Sequence, residues 1–217
     1  MLTINCMYLL LPPSERKLEI GTNAWDTSEG RFEISEQRNV VLDAVSSDIL
    51  RLAKHAEQIS IPAHKRYLGV VWKAIDPGRM DAESLLRASE RVLVVSALGG
   101  LFTWNEPVPF YKLKMGSSTP ITGKLSKYWS KHLPQKINDR PVIDLLALEQ
   151  SAAVPVPYKN NGWLRIELLG VKGERSGHNG KAAKGRLARA LILAEDPFET
   201  LERYKDSEGW VLRIEKR

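Results

Sequence analysis

Apolar positions along this chain fall into short runs separated by proline, glycine and charge. Met7–Leu11 is continuous and apolar and stops at Pro12-Pro13, the pattern of a buried strand entering a loop. Residues 35–58 place Val41, Val45, Ile49, Leu52 and Ala56 at helical spacing. Tyr67–Trp72 reads as a strand. Asp76-Pro77 then reads as an N-cap with proline at the first helical position, opening a helix towards Ser89. Arg91–Ala97 and Val142–Leu146 are apolar and rich in valine and isoleucine, as interior strands are. Leu164, Ile166 and Leu168 alternate with Arg165 and Glu167, which predicts a half-exposed strand. Lys181–Ala194 is helical, with Leu187, Ala190, Leu191 and Ala194 on one face, and Trp210–Ile214 closes the chain as a strand. Strands and helices interleave without a strict βαβ rhythm, so the expected fold is a mixed α/β (α+β) domain.

Length and composition narrow the class. A chain of 217 residues that is 43% hydrophobic and 27% charged can bury a substantial core. No repeat, low-complexity tract or linker divides it, so residues 1–217 are expected to form one domain. Its apolar runs are too short to span a bilayer, and no secretory leader pattern opens it, so the expected location is cytoplasmic, with no membrane partner. A single cysteine, Cys6, fits a reducing compartment.

Charge is unevenly placed. The net charge is +6, yet residues 1–63 hold nine acids against six bases, so the remainder carries +9. Pro107–Asn138 contains Lys112, Lys114, Lys124, Lys127, Lys131 and Lys136 and no acid; a second basic stretch runs from Lys172 to Arg189. Such a field attracts phosphates, on DNA or on a nucleotide-like or other anionic small molecule, and equally describes a solvated basic surface.

Four segments carry candidate chemistry. In Leu11–Lys17, after the first strand, Ser14 and Lys17 are placed to bind or polarise an anion, or to decorate a proline-stiffened turn; without glycines it is no Walker loop. Phe110–Ser118 sets Tyr111 and Lys112 ahead of Gly116, which suits stacking and phosphate contact or an amphipathic edge strand ending in a turn. Asp144 interrupts an apolar strand, which calls for a partner or a strand-end position. Ser176–Arg189 leads through His178 and Gly180 into a helix whose first turns carry Lys181 and Lys184. Basic residues there oppose the helix dipole, which makes this the strongest anion-site candidate. The scattered histidines have no metal-ligand spacing, and no cofactor is indicated. Were the chain an enzyme, Ser14, Asp144, His178 and Lys181 are its catalytic candidates, with His178 as general acid or base.

These segments are where the sequence resembles the YaaA family. Leu10–Lys17 is similar to that family's LLPPSEGK opening, with Arg16 for glycine, and Tyr67–Asp76 to its YTGVLYxALD. Val94–Leu101 resembles LSGLYGLL with Gly99 at the aromatic position, and Tyr111–Gly116 resembles YRLxMG with Lys112 for arginine. Lys127-Tyr128-Trp129 falls at the LxxFW segment. Val142–Glu149 resembles VVNLASxEY, with Gln150 for the tyrosine. His178–Arg189 resembles SHxAKxxRGxxAR, with Lys184 for arginine. The resemblance implies a cytosolic protein of peroxide resistance on a mixed α/β fold, associated with DNA through a basic cleft. It implies that Lys17, Tyr111, Lys112, Lys181, Lys184 and Arg189 line that cleft. A small-molecule step in a biosynthetic or nucleotide pathway is the alternative for a shortened relative.

Overall fold

The computed structural model describes residues 7–21, 23–45, 59–158, 160, 162–170, 172–174 and 180–217. Cys6, His55, His178 and the second half of the 35–58 helix lie outside these residues. Among the described residues, strands and α-helices follow one another as β1 (Tyr8–Leu11), β2 (Asn23–Ala24), α1 (Ser35–Ala44), β3 (Ile59–Pro62), α2 (Ala63–Arg66), α3 (Val70–Ile75), α4 (Ala82–Arg91), β4 (Val92–Ser96), β5 (Gly100–Thr103), β6 (Pro107–Pro109), β7 (Ser118–Thr119), β8 (Gly123–Lys124), α5 (Leu125–Trp129), β9 (Val142–Asp144), α6 (Leu148–Ser151), β10 (Trp163–Leu169), α7 (Lys181–Leu193), α8 (Pro197–Arg203) and β11 (Val211–Lys216).

The principal sheet has the order β11-β10-β9-β1-β4-β5. Its four inner strands are parallel, with Leu9 opposite Val92 on one side and Ile143 on the other; β5 and β11 are antiparallel borders. Strands buried on both faces must be apolar throughout, which is why Tyr8–Leu11 and Val92–Val95 are continuous rather than alternating. A three-stranded antiparallel sheet, β2-β3-β6, and the β7-β8 hairpin sit apart from it. The helices flank the principal sheet, and buried apolar side chains from strands and helices join in one cluster. No helix among the described residues is long and apolar enough to cross a membrane.

Three local expectations are corrected. Tyr67–Trp72 is no strand: Tyr67 makes one isolated bridge and α3 starts at Val70. Its buried residues Val71, Trp72 and Ile75 follow helical spacing, and a run this short cannot be told from a strand by hydrophobicity. Asp76 ends α3 in the left-handed region (φ 51°) and leads into a single 3-10 turn, Pro77–Arg79, with proline at its start as expected, but the helix reaching Ser89, α4, starts only after Asp81, whose carboxylate accepts from the Ser84 amide at 2.8 Å. Phe110–Ser117 is irregular after β6, because its backbone bonds go to turns such as Ser117 N to Lys114 O (3.0 Å) rather than to a neighbouring strand.

The topology marks one end of the sheet. β4 lies on one side of β1 and β9 on the other, so the connections leaving these strands part at the carboxyl end of β1. A crevice opens where strand order reverses in this way.

Candidate functional site

The loop leaving β1 fills that crevice. The Trp72 indole donates to the Pro12 carbonyl at 3.2 Å and pins the loop to α3. Residues 16–18 then pair with 66–68, through Leu68 N to Arg16 O and Leu18 N to Arg66 O (both 2.9 Å), around the Lys17–Tyr67 bridge. This short ladder turns the Lys17 side chain inward. Its ammonium nitrogen lies 4.1 Å from the centre of the Tyr111 ring and 5.7 Å from that of Tyr67. Ser14 is buried beside it. A side chain at Gly69 would collide with the Ser14 hydroxyl, so glycine there lets α3 begin against the loop.

A line of hydroxyls holds the two rings. Tyr67 Oη and Tyr111 Oη are 3.1 Å apart, and Tyr111 Oη is 2.8 Å from Ser96 Oγ at the end of β4. Ser96 Oγ accepts from the Leu98 and Gly99 amides at 3.2 and 3.3 Å, and Trp129 donates to the Ala97 carbonyl at 2.8 Å, which fixes the β4–β5 turn. Behind the rings, the buried Arg66 guanidinium donates to the carbonyls of Val108, Leu18, Ile20 and Ile59.

Burial, partly offset by Glu15 and reinforced by the positive charges of Arg66 and Lys112, lowers Lys17 to about 7. No carboxylate among the described residues pairs with it. Glu15, two residues earlier, instead meets Lys114 at 3.2 Å. The cleft in front of Lys17 has a volume of about 80 Å³. Pro13 and Ser14 wall it from β1, Ala97 from β4, Leu113 and Met115 from the irregular segment, and Glu149 and Gln150 from α6. The Gln150 side-chain oxygen is buried there without a hydrogen-bond partner. A buried acceptor left unpaired costs about 1–3 kcal/mol. Gly116 faces Glu149; a methyl there would sit 2.8 Å from the carboxylate.

A second polar group lies at the ends of β9 and β10. Asp144 is buried, accepts from the Leu146 amide at 2.8 Å and faces Arg165 at 3.7 Å. Ser151 accepts from Arg165 at 2.7 Å and reaches Asp144 at 3.4 Å. From α7, Lys184 reaches the Leu146 carbonyl at 3.5 Å; burial brings it down to about 8, with Asp144 opposing the shift. These bonds fasten the segment that carries Gln150 into the cleft.

The candidates therefore separate. Ser14 and Lys17 line one cleft, Tyr111 lies buried against the Lys17 nitrogen rather than in the cleft wall, exposed Lys112 is close enough to act on Lys17, and Gly116 faces the cleft residue Glu149. Asp144 and Lys184 meet in the other group, with exposed Lys181 near Lys184. Arg189 is committed elsewhere: it donates to the carbonyls of Ile75 (2.5 Å), Asp76 (2.8 Å) and Arg79 (3.1 Å), closing the end of α3. Tyr67, Ser96, Ala97 and Gln150 were absent from the sequence-based candidates. Their signal was the chain order itself, since they sit beside or just after strand ends that converge at one crevice. No cluster of potential metal ligands occurs among the described residues.

The sequence model of the family described as "Peroxide stress protein YaaA" matches residues 7–215. A UPF0246 protein of Streptomyces coelicolor is 29% identical over 238 aligned positions, covering 92% of this chain and 90% of the relative. A UPF0246 protein of Corynebacterium glutamicum strain R is 27% identical, covering 90% and 89%. One from Francisella tularensis subsp. novicida is 26% identical over 58% of this chain and 54% of its own.

Proposed function

Starting from the fact that this chain belongs to the YaaA family of peroxide stress proteins, we propose that it acts in the cytoplasm by holding a phosphate-bearing ligand, DNA or a nucleotide, at the crevice beyond β1. The observation that carries this reading is Lys17: a buried amine that no carboxylate among the described residues pairs with, lining a cleft at the point where strand order reverses. An anion entering the cleft supplies the missing counter-charge and draws a proton onto the amine. Exposed lysines on the adjoining segment, Lys112, Lys114, Lys124 and Lys127, neutralise neighbouring phosphates. Ser14 and the Gln150 amide offer orienting hydrogen bonds.

Fluorescence anisotropy of a short duplex at two salt concentrations tests this. Affinity should fall steeply with salt, and Lys112→Ala should weaken binding and reduce the slope of log K against log salt by about one. Binding that is absent, or insensitive to salt, would sink the DNA form of the proposal. A second reading is an enzyme acting on a small anionic substrate, favoured by the Ser14 hydroxyl and the Lys17 amine lining the same cleft.

A further inference from the structure

A buried lysine with an empty cleft before it can do more than attract an anion. Ordinary surface lysines are protonated at neutral pH and carry no lone pair. A lysine becomes a nucleophile when it is desolvated among apolar groups or placed near other cations. Both conditions meet at Lys17. Its nitrogen rests against the Tyr111 and Tyr67 rings, the Arg66 guanidinium lies behind them, and Lys112 adds a second positive charge. Glu15, the carboxylate that acts on it, is drawn to Lys114 at 3.2 Å. The cleft opens beside Lys17. Its walls are apolar at Pro13, Ala97, Leu113 and Met115 and polar or charged at Ser14, Glu15, Lys114, Glu149 and Gln150. The Ser14 hydroxyl can donate a hydrogen bond to a carbonyl oxygen there.

We infer that Lys17 is a covalent site for aldehydes that carry a neighbouring anionic group, forming an imine through its side-chain nitrogen. The lone pair of the neutral amine attacks the carbonyl carbon to give a carbinolamine. The carbonyl oxygen then leaves as water, taking both amine hydrogens, and a carbon–nitrogen double bond remains; addition of water reverses the step. At pH 7 a lysine titrating at about 7 is half neutral. An ordinary one with a pKa near 10.4 is neutral in roughly one molecule in a few thousand. The exposed Lys112 and Lys114 are positioned to hold the anionic neighbour. Two sources share this chemistry: the ring-opened sugar of an abasic nucleotide in DNA, flanked by its own phosphates, and a free small aldehyde acid. The inference rests on the proposed cleft but not on DNA binding as such.

The test is reductive trapping with cyanoborohydride at pH 7, in one arm with glyoxylate and in the other with a duplex bearing a single abasic site. Adducts are mapped by peptide mass spectrometry. Lys17 should carry most of the adduct in at least one arm, Lys17→Arg should abolish it, and excess inorganic pyrophosphate should suppress it. Glyoxylate trapping alone assigns the free acid as the source, whereas trapping with the abasic duplex assigns DNA. Adducts confined to the N-terminal amine or to exposed lysines such as Lys65 and Lys73, or no adduct in either arm, overturn the inference. Because the mapping uses the unaltered protein, it does not depend on whether Lys17→Arg folds. Binding of an intact duplex is measured in parallel. If that binding is salt-sensitive and no adduct forms, only this inference fails; if Lys17 is trapped without duplex binding, the inference stands and the DNA reading fails.

Discussion

Gly185→Ala probes the contact on which the site is seated. Gly185 is buried in α7 where that helix packs on α3. A methyl group added there would lie 2.6 Å from the Ala74 methyl, 3.1 Å from the Val71 carbonyl carbon and closer still to its oxygen. Carbon atoms pack comfortably at about 3.5–4.0 Å, so the helices would have to part by roughly 1 Å. Neither neighbour is the free end of a flexible side chain, so the strain cannot be relieved by rotation. Overpacking of this kind costs about 1–3 kcal/mol. Alanine returns about 1 kcal/mol of helix propensity, which leaves a net loss of up to about 2 kcal/mol. For a chain of this size that corresponds to a melting temperature lower by up to roughly 8 °C. Calorimetry and urea unfolding measure it. Gly78→Ala is the control: that glycine has open space around it, and its substitution should change stability by less than about 1 kcal/mol in either direction. A Gly185→Ala protein more stable than the parent would refute the close α3–α7 contact. Since α3 starts at the backbone against which Ser14 packs, the same substitution should weaken ligand binding at the cleft.

Three further outcomes follow from the geometry. Lys17 titrates at about 7 when folded and near 10.4 when unfolded, so between these values the unfolded chain binds more protons and stability rises with pH. The cost is fully present below pH 7; urea unfolding should show a shallower rise between pH 7 and 10 for Lys17→Met, and parallel curves would contradict the burial of a charged amine. Arg189→Lys keeps the charge but leaves carbonyls of Ile75, Asp76 and Arg79 without donors, so it should lose about 1–3 kcal/mol in thermal unfolding despite its conservative appearance. Gln150→Leu removes an unpaired buried oxygen and should leave stability within about 1 kcal/mol of the parent while lowering ligand affinity; a large loss of stability with unchanged affinity would remove Gln150 from the site.

Strands β1, β4 and β9 were legible because burial on both faces forces continuous apolar runs, β10 because its apolar residues alternate, although its Arg165 is buried rather than exposed, and α7 because its apolar residues recur at helical spacing. The Lys17 loop was legible too, as charged and hydroxyl residues placed directly after such a strand. The helix α3 was not, since six residues with two adjacent valines and a tryptophan satisfy either reading until a partner is known; the partner is α7, distant in sequence. Arg189 shows the same difficulty for chemistry. Its type and place suggested a phosphate ligand, but carbonyls more than a hundred residues away at the end of α3 occupy its guanidinium. Gln150 was noted only as a departure from the family tyrosine, and its role at the cleft depends on α6 meeting the β1 loop. His178 is outside the described residues, so the sequence remains its only basis as a candidate.

The central claim is that ligand enters the crevice in front of Lys17. Quantitative amine labelling, read residue by residue by mass spectrometry with and without saturating inorganic pyrophosphate or duplex DNA, tests it most directly. The account predicts that labelling of Lys17 falls sharply on ligand addition, with Lys112 and Lys114 following, while exposed Lys65 and Lys73 are unchanged. Bound ligand with undiminished labelling of Lys17 would contradict it.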